Sequence, residues 1–337
     1  MKIYIFLVVF FFIENFSYSQ FKTKYPEIPR IDVHIHISDV DKVPNYIRVR
    51  DTLLSKYNVN FAFWITLEAI NKPINSPDSI SNAADGRMLC AFADYKPHLG
   101  LNHTAEYFEK KKSEGFIGYK FWFGSYYRVL KNGEIGIKDI DDPRLDSVFS
   151  NAEKSGVTML SLHIADPNGP YGNRLDCIQD PVFFWRQIRS FENVLIKHPK
   201  LKVIAAHCLW LICQDAQIDY LRYMLNQYPN LYIDLAATFQ YYYLDNTANL
   251  RDFMIKYSDR ILYGTDSGGI KSDEVENIAL RYSKTFRILE TDEMVNGAFW
   301  GKDRAIKGLN LPKEVLENIY YKNAIRLYPN LKSSFRP

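Results

Sequence analysis

The feature that most constrains this chain is a recurrence. Short apolar runs rich in β-branched and aromatic residues return eight times along 337 residues, each followed by room for a helix. We read the strands as Ile31–Ile37, Val59–Leu67, Met88–Tyr95, Phe116–Phe123, Val157–Ala165, Leu201–Leu209, Leu231–Thr238 and Ile261–Thr265. Most starts are about 30 residues apart, the length of one strand–helix unit. Helical segments lie between them, among them Thr104–Gly115, Pro143–Gly156, Pro181–His198 and Gln217–Tyr228. Asp142-Pro143 opens one, and Gly115 and Gly156 close two. This alternation predicts a parallel sheet with helices outside it. Eight units in about 300 residues fit a single-domain TIM (β/α)8 barrel. The alternative, an open doubly wound sheet, lacks its usual glycine-rich phosphate loop after the first strand.

Two connections are long. After the fourth strand, Lys131-Asn132-Gly133-Glu134 separates two alternating runs, a hairpin signal. After the fifth, Asp166–Asp180 is rich in Pro, Gly and Asn. In a barrel such βα loops rim the C-terminal mouth, where they could form a lid.

The first residues read differently. Met1-Lys2, the apolar run Ile3–Ile13, and small or polar residues up to Ser19 have the layout of a secretory signal peptide. Eleven apolar residues fall short of the roughly 20 that span a bilayer. The expectation is cleavage after Ser19, an exported protein of residues 20–337 in a periplasm or outside the cell, and no stable membrane insertion afterwards. The net charge of +3 on 42 basic and 39 acidic residues argues against a nucleic-acid partner. A small-molecule substrate is expected, with a homo-oligomer left open. Four cysteines are too few for a disulfide scaffold. Cys208 and Cys213 could pair, but buried thiols are the simpler reading.

The sharpest chemical signal is Asp32-Val-His34-Ile-His36 on the first strand. Period-two alternation predicts Asp32, His34 and His36 on one face. Two imidazoles aimed into one interior suit a metal, which needs convergent nitrogen ligands. His163, His207 and Asp266 each lie late in, or just after, another predicted strand. Polar residues there converge on the mouth of a barrel.

At this point the chain resembles the amidohydrolase superfamily, whose pattern is HxH after strand one, His after strands five and six, and Asp after strand eight. The segments Gly115–Lys120, His198–His207, Ile261–Asp266 and Leu309–Ile319 followed by Asn323-Ala324 look like its amidohydrolase-2 branch of hydrolases, lactonases and decarboxylases. The resemblance covers about residues 30–330. It implies that His34, His36, His163 and Asp266 hold one divalent metal, most simply Zn2+ with Mn2+ as the alternative. It implies that His207 is a catalytic acid or base, or a ligand of a second ion. Asp266 would also move a proton. The implied activity is hydrolysis of an amide, ester or lactone, with non-oxidative decarboxylation of an aromatic or muconate-like acid as the alternative. Two ions are expected if Lys120, on the fourth strand, is carbamylated. Further substrate contacts are expected from Glu68, Trp122, Arg128, Arg174 and Trp210. His98 and His103 are expected on the rim, and His198 at the surface.

Overall fold

The computed structural model describes residues 21–70, 72–95, 101–124, 137–164, 181–329 and 331. The proposed signal peptide, the tips of both long loops, His98, Arg128 and Arg174 lie outside these residues.

All eight predicted strands form; the first is shifted by one residue and the other seven are shorter than their apolar runs. They are β1 (Arg30–His36), β2 (Phe61–Leu67), β3 (Met88–Asp94), β4 (Tyr119–Trp122), β5 (Met159–His163), β6 (Val203–Ala205), β7 (Leu231–Asp234) and β8 (Ile261–Leu262). Each pairs in parallel with the next. Beyond β8 the chain returns to β1 through a parallel bridge between Ile35 and Ser267. There the Asp266 amide donates to the His34 carbonyl (2.8 Å) and the His36 amide to the Ser267 carbonyl (2.7 Å). This is a TIM barrel in one domain.

The helices are α1 (Val43–Tyr57), α2 (Pro77–Ala83), α3 (Ala105–Ser113), α4 (Asp146–Ser155), α5 (Pro181–Lys197), α6 (Asp215–Gln227), α7 (Thr247–Lys256), α8 (Val275–Glu290), α9 (Lys313–Glu317) and α10 (Asn323–Leu327). Local chemistry sets their ends. Thr104 caps α3 by accepting the Tyr107 amide. Gly156 ends α4 at φ +67°, a left-handed position that favours glycine. No described helix is long and apolar enough to cross a membrane.

Two layers of core position the mouth. Outside the strands, Tyr46 of α1 packs edge-on against Trp64 of β2, and Phe61 against Tyr282 of α8. Inside, Ile31, Val33, Phe63, Ile65 and Leu67 form one cluster with Ala324 and Leu327 of α10. That helix closes the N-terminal end of the barrel. Its Asn323 is the first helical residue and not the cap. The side-chain amide instead donates to the Ser258 and Ile261 carbonyls (2.7 Å each) and fastens α10 to the start of β8. Also here, the fully buried Arg30 pairs with Glu290 at 2.8 Å, and Thr23 hydrogen-bonds both.

A hairpin follows α8, formed by the antiparallel strands β9 (Met294–Asn296) and β10 (Ala305–Lys307). It climbs beside α8, with Phe299 edge-on to Tyr282 (5.1 Å between ring centroids).

Candidate metal centre

The first strand does not keep a strict alternation. Its register against β2 shifts between Asp32 and Ile35. Ile31 and Val33 pack inside the barrel, and His34 and His36 point into the mouth. Asp32 turns the other way, contrary to the expectation from period two. Its buried carboxylate accepts the Thr265 amide (3.1 Å), the Thr265 hydroxyl (2.5 Å) and the Tyr282 hydroxyl (2.7 Å). Burial pushes this carboxyl up to about 6, against those hydrogen bonds. Asp32 therefore ties β1 to the end of β8 and to α8.

In the mouth, three acceptor atoms converge. Nε2 of His34 lies 3.1 Å from Nε2 of His36. Asp266 Oδ1 stands 3.2 Å from the first and 3.1 Å from the second. The ring partners decide where the protons are. His34 Nδ1 is 2.9 Å from the Asp234 carboxylate, which only accepts, so Nδ1 carries the proton. His36 Nδ1 is 3.1 Å from the Tyr95 hydroxyl oxygen. That hydroxyl gives its own proton to the Glu68 carbonyl, so His36 Nδ1 is the donor. Both imidazoles thus present Nε2 lone pairs to each other and to a carboxylate oxygen. Such a triangle repels itself unless a cation or an additional proton sits within it.

The spacing also fits a metal. Four-coordinate ligands at 2.0–2.1 Å stand about 3.3 Å apart, and an octahedral set at similar distances about 3.0 Å. The measured 3.1–3.2 Å falls between, so a divalent ion fits and either geometry is served. The carboxylate and carbonyl groups behind the imidazoles are the outer partners that orient metal-bound histidines. Asp266 is held well below the usual carboxylate range: burial works against its charge, but the His34 and His36 rings beside it, each of which donates and turns positive once Nε2 takes up a proton, outweigh it. It stays ionised through the neutral range, as a ligand must. Burial lowers His36, which keeps its Nε2 unprotonated. His34 is raised: burial opposes its charge, and Asp234 overcomes that.

His207 and His163 form a second pair beside the first. His207 Nδ1 lies 2.8 Å from the Ala236 carbonyl, so it carries the proton and Nε2 accepts from His163 Nδ1 at 3.1 Å. Burial drives His207 down to about 3, so the imidazole is neutral. Among the described residues, two groups of His and Asp ligand atoms lie within 4.8 Å of one another: His34, His36 and Asp266, and His34, His207 and Asp234. His163, expected as a ligand with the first group, falls in neither. One cause is local. Ser161 adopts φ +50°, the β5 register shifts between Met159 and Leu162, and the Ser161 hydroxyl takes a place 3.4 Å from His34 Nε2.

Lys120 is fully buried on β4 and donates to that same hydroxyl. Burial lowers its ammonium to about 8, against the pull of Asp266 and Asp234. Glu68 is no free pocket acid. Its two oxygens accept the Ile74 amide (2.9 Å) and the Ala93 amide (2.7 Å), clipping the loop after β2 to β3. Trp210 does enter the site. The chain leaves β6 at Ala205, and His207, Cys208, Leu209 and Trp210 all take φ between +51° and +60°. Four consecutive left-handed residues without glycine cost about 1–2 kcal/mol each. The turn lays the Trp210 indole on the His207 ring at 4.3 Å and 20°. A band of rings then runs around the mouth: Tyr95 to Trp122 (6.4 Å), Trp122 to His163 (5.7 Å), His163 to Trp210 (6.2 Å) and Trp210 to Tyr241 (6.1 Å).

Other sequence candidates lie away from the mouth. His103 binds Asp94 at 2.5 Å under α3. His198 is buried, not exposed, against Asp146 at the start of α4. Cys90, Cys208 and Cys213 are buried free thiols. Sequence reading missed Asp234, Tyr95 and Ser161. A carboxylate closing the apolar run Leu-Tyr-Ile-Asp was the available signal for Asp234. Nothing local marks Tyr95 or Ser161.

A family profile described as amidohydrolase matches residues 83–329. No curated protein sequence matches the chain. Among solved structures, a 2,6-dihydroxybenzoate decarboxylase from Rhizobium superposes with a TM-score of 0.52 at 15% identity, covering 92% of this chain and 99% of its own. A structure of 2,6-dihydroxybenzoate decarboxylase complexed with 2,6-dihydroxybenzoate gives 0.50 at 16% identity, over 92% and 99%. A Staphylococcus aureus protein provisionally described as an amidohydrolase gives 0.51 at 18%, over 89% and 99%. At such identities these structures speak for the fold alone.

Proposed function

The chain belongs to the amidohydrolase family, and we propose that within it the chain is a metal-dependent hydrolase of a small amide, ester or lactone. The observation that carries this is the triangle of His34 Nε2, His36 Nε2 and Asp266 Oδ1, with both ring tautomers fixed from behind. These three residues would hold a divalent ion, zinc first and manganese second given a nitrogen and oxygen donor set. When bound, such an ion polarises a carbonyl and lowers the pKa of water from 15.7 to about 7.

The chain's own groups supply the rest. Asp266 offers Oδ1 to the triangle, and its side chain is 31% exposed toward the mouth. Its other oxygen would accept a proton from water and return it to a leaving group. His207 stays neutral, and its Nε2 accepts from His163 Nδ1, so His207 would orient the His163 ring at the mouth. The Lys120 ammonium, beside Ser161, stabilises negative charge that develops at the mouth. Carbamylation of Lys120 and a second ion belong to this same proposal as its two-metal form.

One observation favours decarboxylation as a second reading. The band from Tyr95 to Tyr241 suits a flat aromatic acid. Metal per chain, measured by elemental analysis of protein purified without chelator, comes first. About one or two ions, with turnover of lactones or amides lost on chelation, supports the hydrolase. Carbon dioxide released from carboxylated phenols moves the assignment to the second reading. No metal after reconstitution refutes both.

A further inference from the structure

The hairpin beyond α8 reaches the rim of the mouth at its tip. Arg304 lies over the Tyr243 ring (5.2 Å), and a Cβ on Gly301 would meet the Gln240 side chain at 2.6 Å. Next to Gly301, the partly buried Trp300 aims its indole N–H at the Thr265 carbonyl, 2.7 Å away. That carbonyl belongs to the peptide unit that enters Asp266. The other side of the same unit, the Asp266 amide, donates to the His34 carbonyl at 2.8 Å. Asp266 follows this doubly held plane with φ +65°, a left-handed value that is uncommon for a residue other than glycine. Rotation about N–Cα starts from the peptide plane, so fixing both sides of the plane fixes where the carboxylate points. Freed on its carbonyl side, the plane can turn and let Asp266 relax to negative φ, away from His34 and His36.

We propose that Trp300 is a positioning residue for Asp266: its indole N–H locks the Thr265–Asp266 peptide and thereby aims the carboxylate at Nε2 of His34 and His36. The inference rests on the reading of Asp266 as a metal ligand. Phe299 adds a second, apolar tie. It packs on Tyr282, whose hydroxyl reaches Asp32, the residue that holds the Thr265 amide. The hairpin is therefore part of the machinery that shapes the site, although it lies outside the barrel.

The test is metal affinity of the full chain, read by chelator competition with Zn2+ and by the visible spectrum with Co2+. Trp300→Phe keeps an aromatic ring and removes the N–H. We expect metal binding to weaken 10–100-fold, the usual effect of losing an outer partner, and a changed Co2+ spectrum with the melting temperature held. If that variant does not fold, 3-benzothienylalanine at position 300 keeps the bicyclic shape and lacks only the donor. Wild-type affinity and spectrum in a folded donor-less variant would overturn the proposal. Asp266→Asn separates the two layers: if it binds metal as the wild type does, the ligand reading fails. If it loses metal while Trp300→Phe does not, only the positioning role fails.

Discussion

Asp234→Asn probes the tautomer argument most directly. The wild-type carboxylate has divided duties. Oδ2 accepts from His34 Nδ1 at 2.9 Å, and Oδ1 accepts the amides of His207 at 2.9 Å and Ala236 at 3.1 Å. An asparagine has one acceptor and one donor end. Its oxygen is held by the two backbone amides, which cannot change sign. Its NH2 then faces His34 Nδ1 and forces that nitrogen to accept, so the proton moves to Nε2. His34 now brings N–H rather than a lone pair to His36 and Asp266. We expect metal affinity to fall at least 10–100-fold, or about 1.4–2.7 kcal/mol at 1.36 kcal/mol per decade. Chelator competition at pH 7.5 reads it directly.

The same variant has a pH signature without metal. Asp234 is lowered: burial raises it, but His34 overrides that. His34 is raised above 6.5 by Asp234 against burial. A lowered carboxyl stabilises above its unfolded value of 3.8 and loses that as pH falls through its folded value. A raised histidine stabilises below 6.5 and loses that as pH rises through its folded value. The ion pair therefore exists between these limits, and the stability deficit of Asp234→Asn should be largest near pH 5 and shrink by pH 9. Melting curves across that range check it. Unchanged metal affinity with a flat pH difference would refute the reasoning.

Three other outcomes are expected. His36→Ala and Asp266→Ala should each abolish stoichiometric metal binding and turnover while far-UV circular dichroism stays that of the barrel; full activity in either would remove the proposed site. Glu290→Leu strands the fully buried Arg30 and should cost about 3–5 kcal/mol in urea unfolding, whereas a surface pair costs 0–1. Asp245 has both carboxylate oxygens buried without a partner among the described residues, and burial, then Asp215, raises it to about 7. A raised carboxyl favours the folded state while protonated, so stability falls as pH rises from about 4 to about 7. Asp245→Asn should match the wild type near pH 4 and melt higher at pH 8; equal melting temperatures at pH 8 would count against it.

Much of this was legible in the chain. Eight apolar runs at a near-constant interval leave few ways to bury themselves, and parallel closure follows. The residues His34, His36, His207 and Asp266 stand where strand-end logic puts them, because a parallel barrel collects every strand's last residues at one mouth. Helix ends were legible at Thr104 and Gly156 for the same local reason: a capping hydroxyl and a residue that tolerates positive φ act within one turn.

What the sequence did not determine depends on partners far along the chain. Period two placed Asp32 beside His34, but a register shift, held by Thr265 and Tyr282 more than 230 residues away, turned it outward. The apolar run Leu201–Leu209 reads as one strand, yet it breaks at Ala205 into a left-handed turn. Intrinsic preference opposes that turn, so only buried surroundings hold it. The proton positions on the imidazoles were likewise invisible. They are set by Asp234, Tyr95 and Ala236, whose spacing from the histidines in the sequence carries no pattern. The sequence thus determined which donors gather at the mouth of a barrel. The tertiary structure alone decided which nitrogen of each ring faces inward, because a hydrogen bond from behind the ring is a long-range contact.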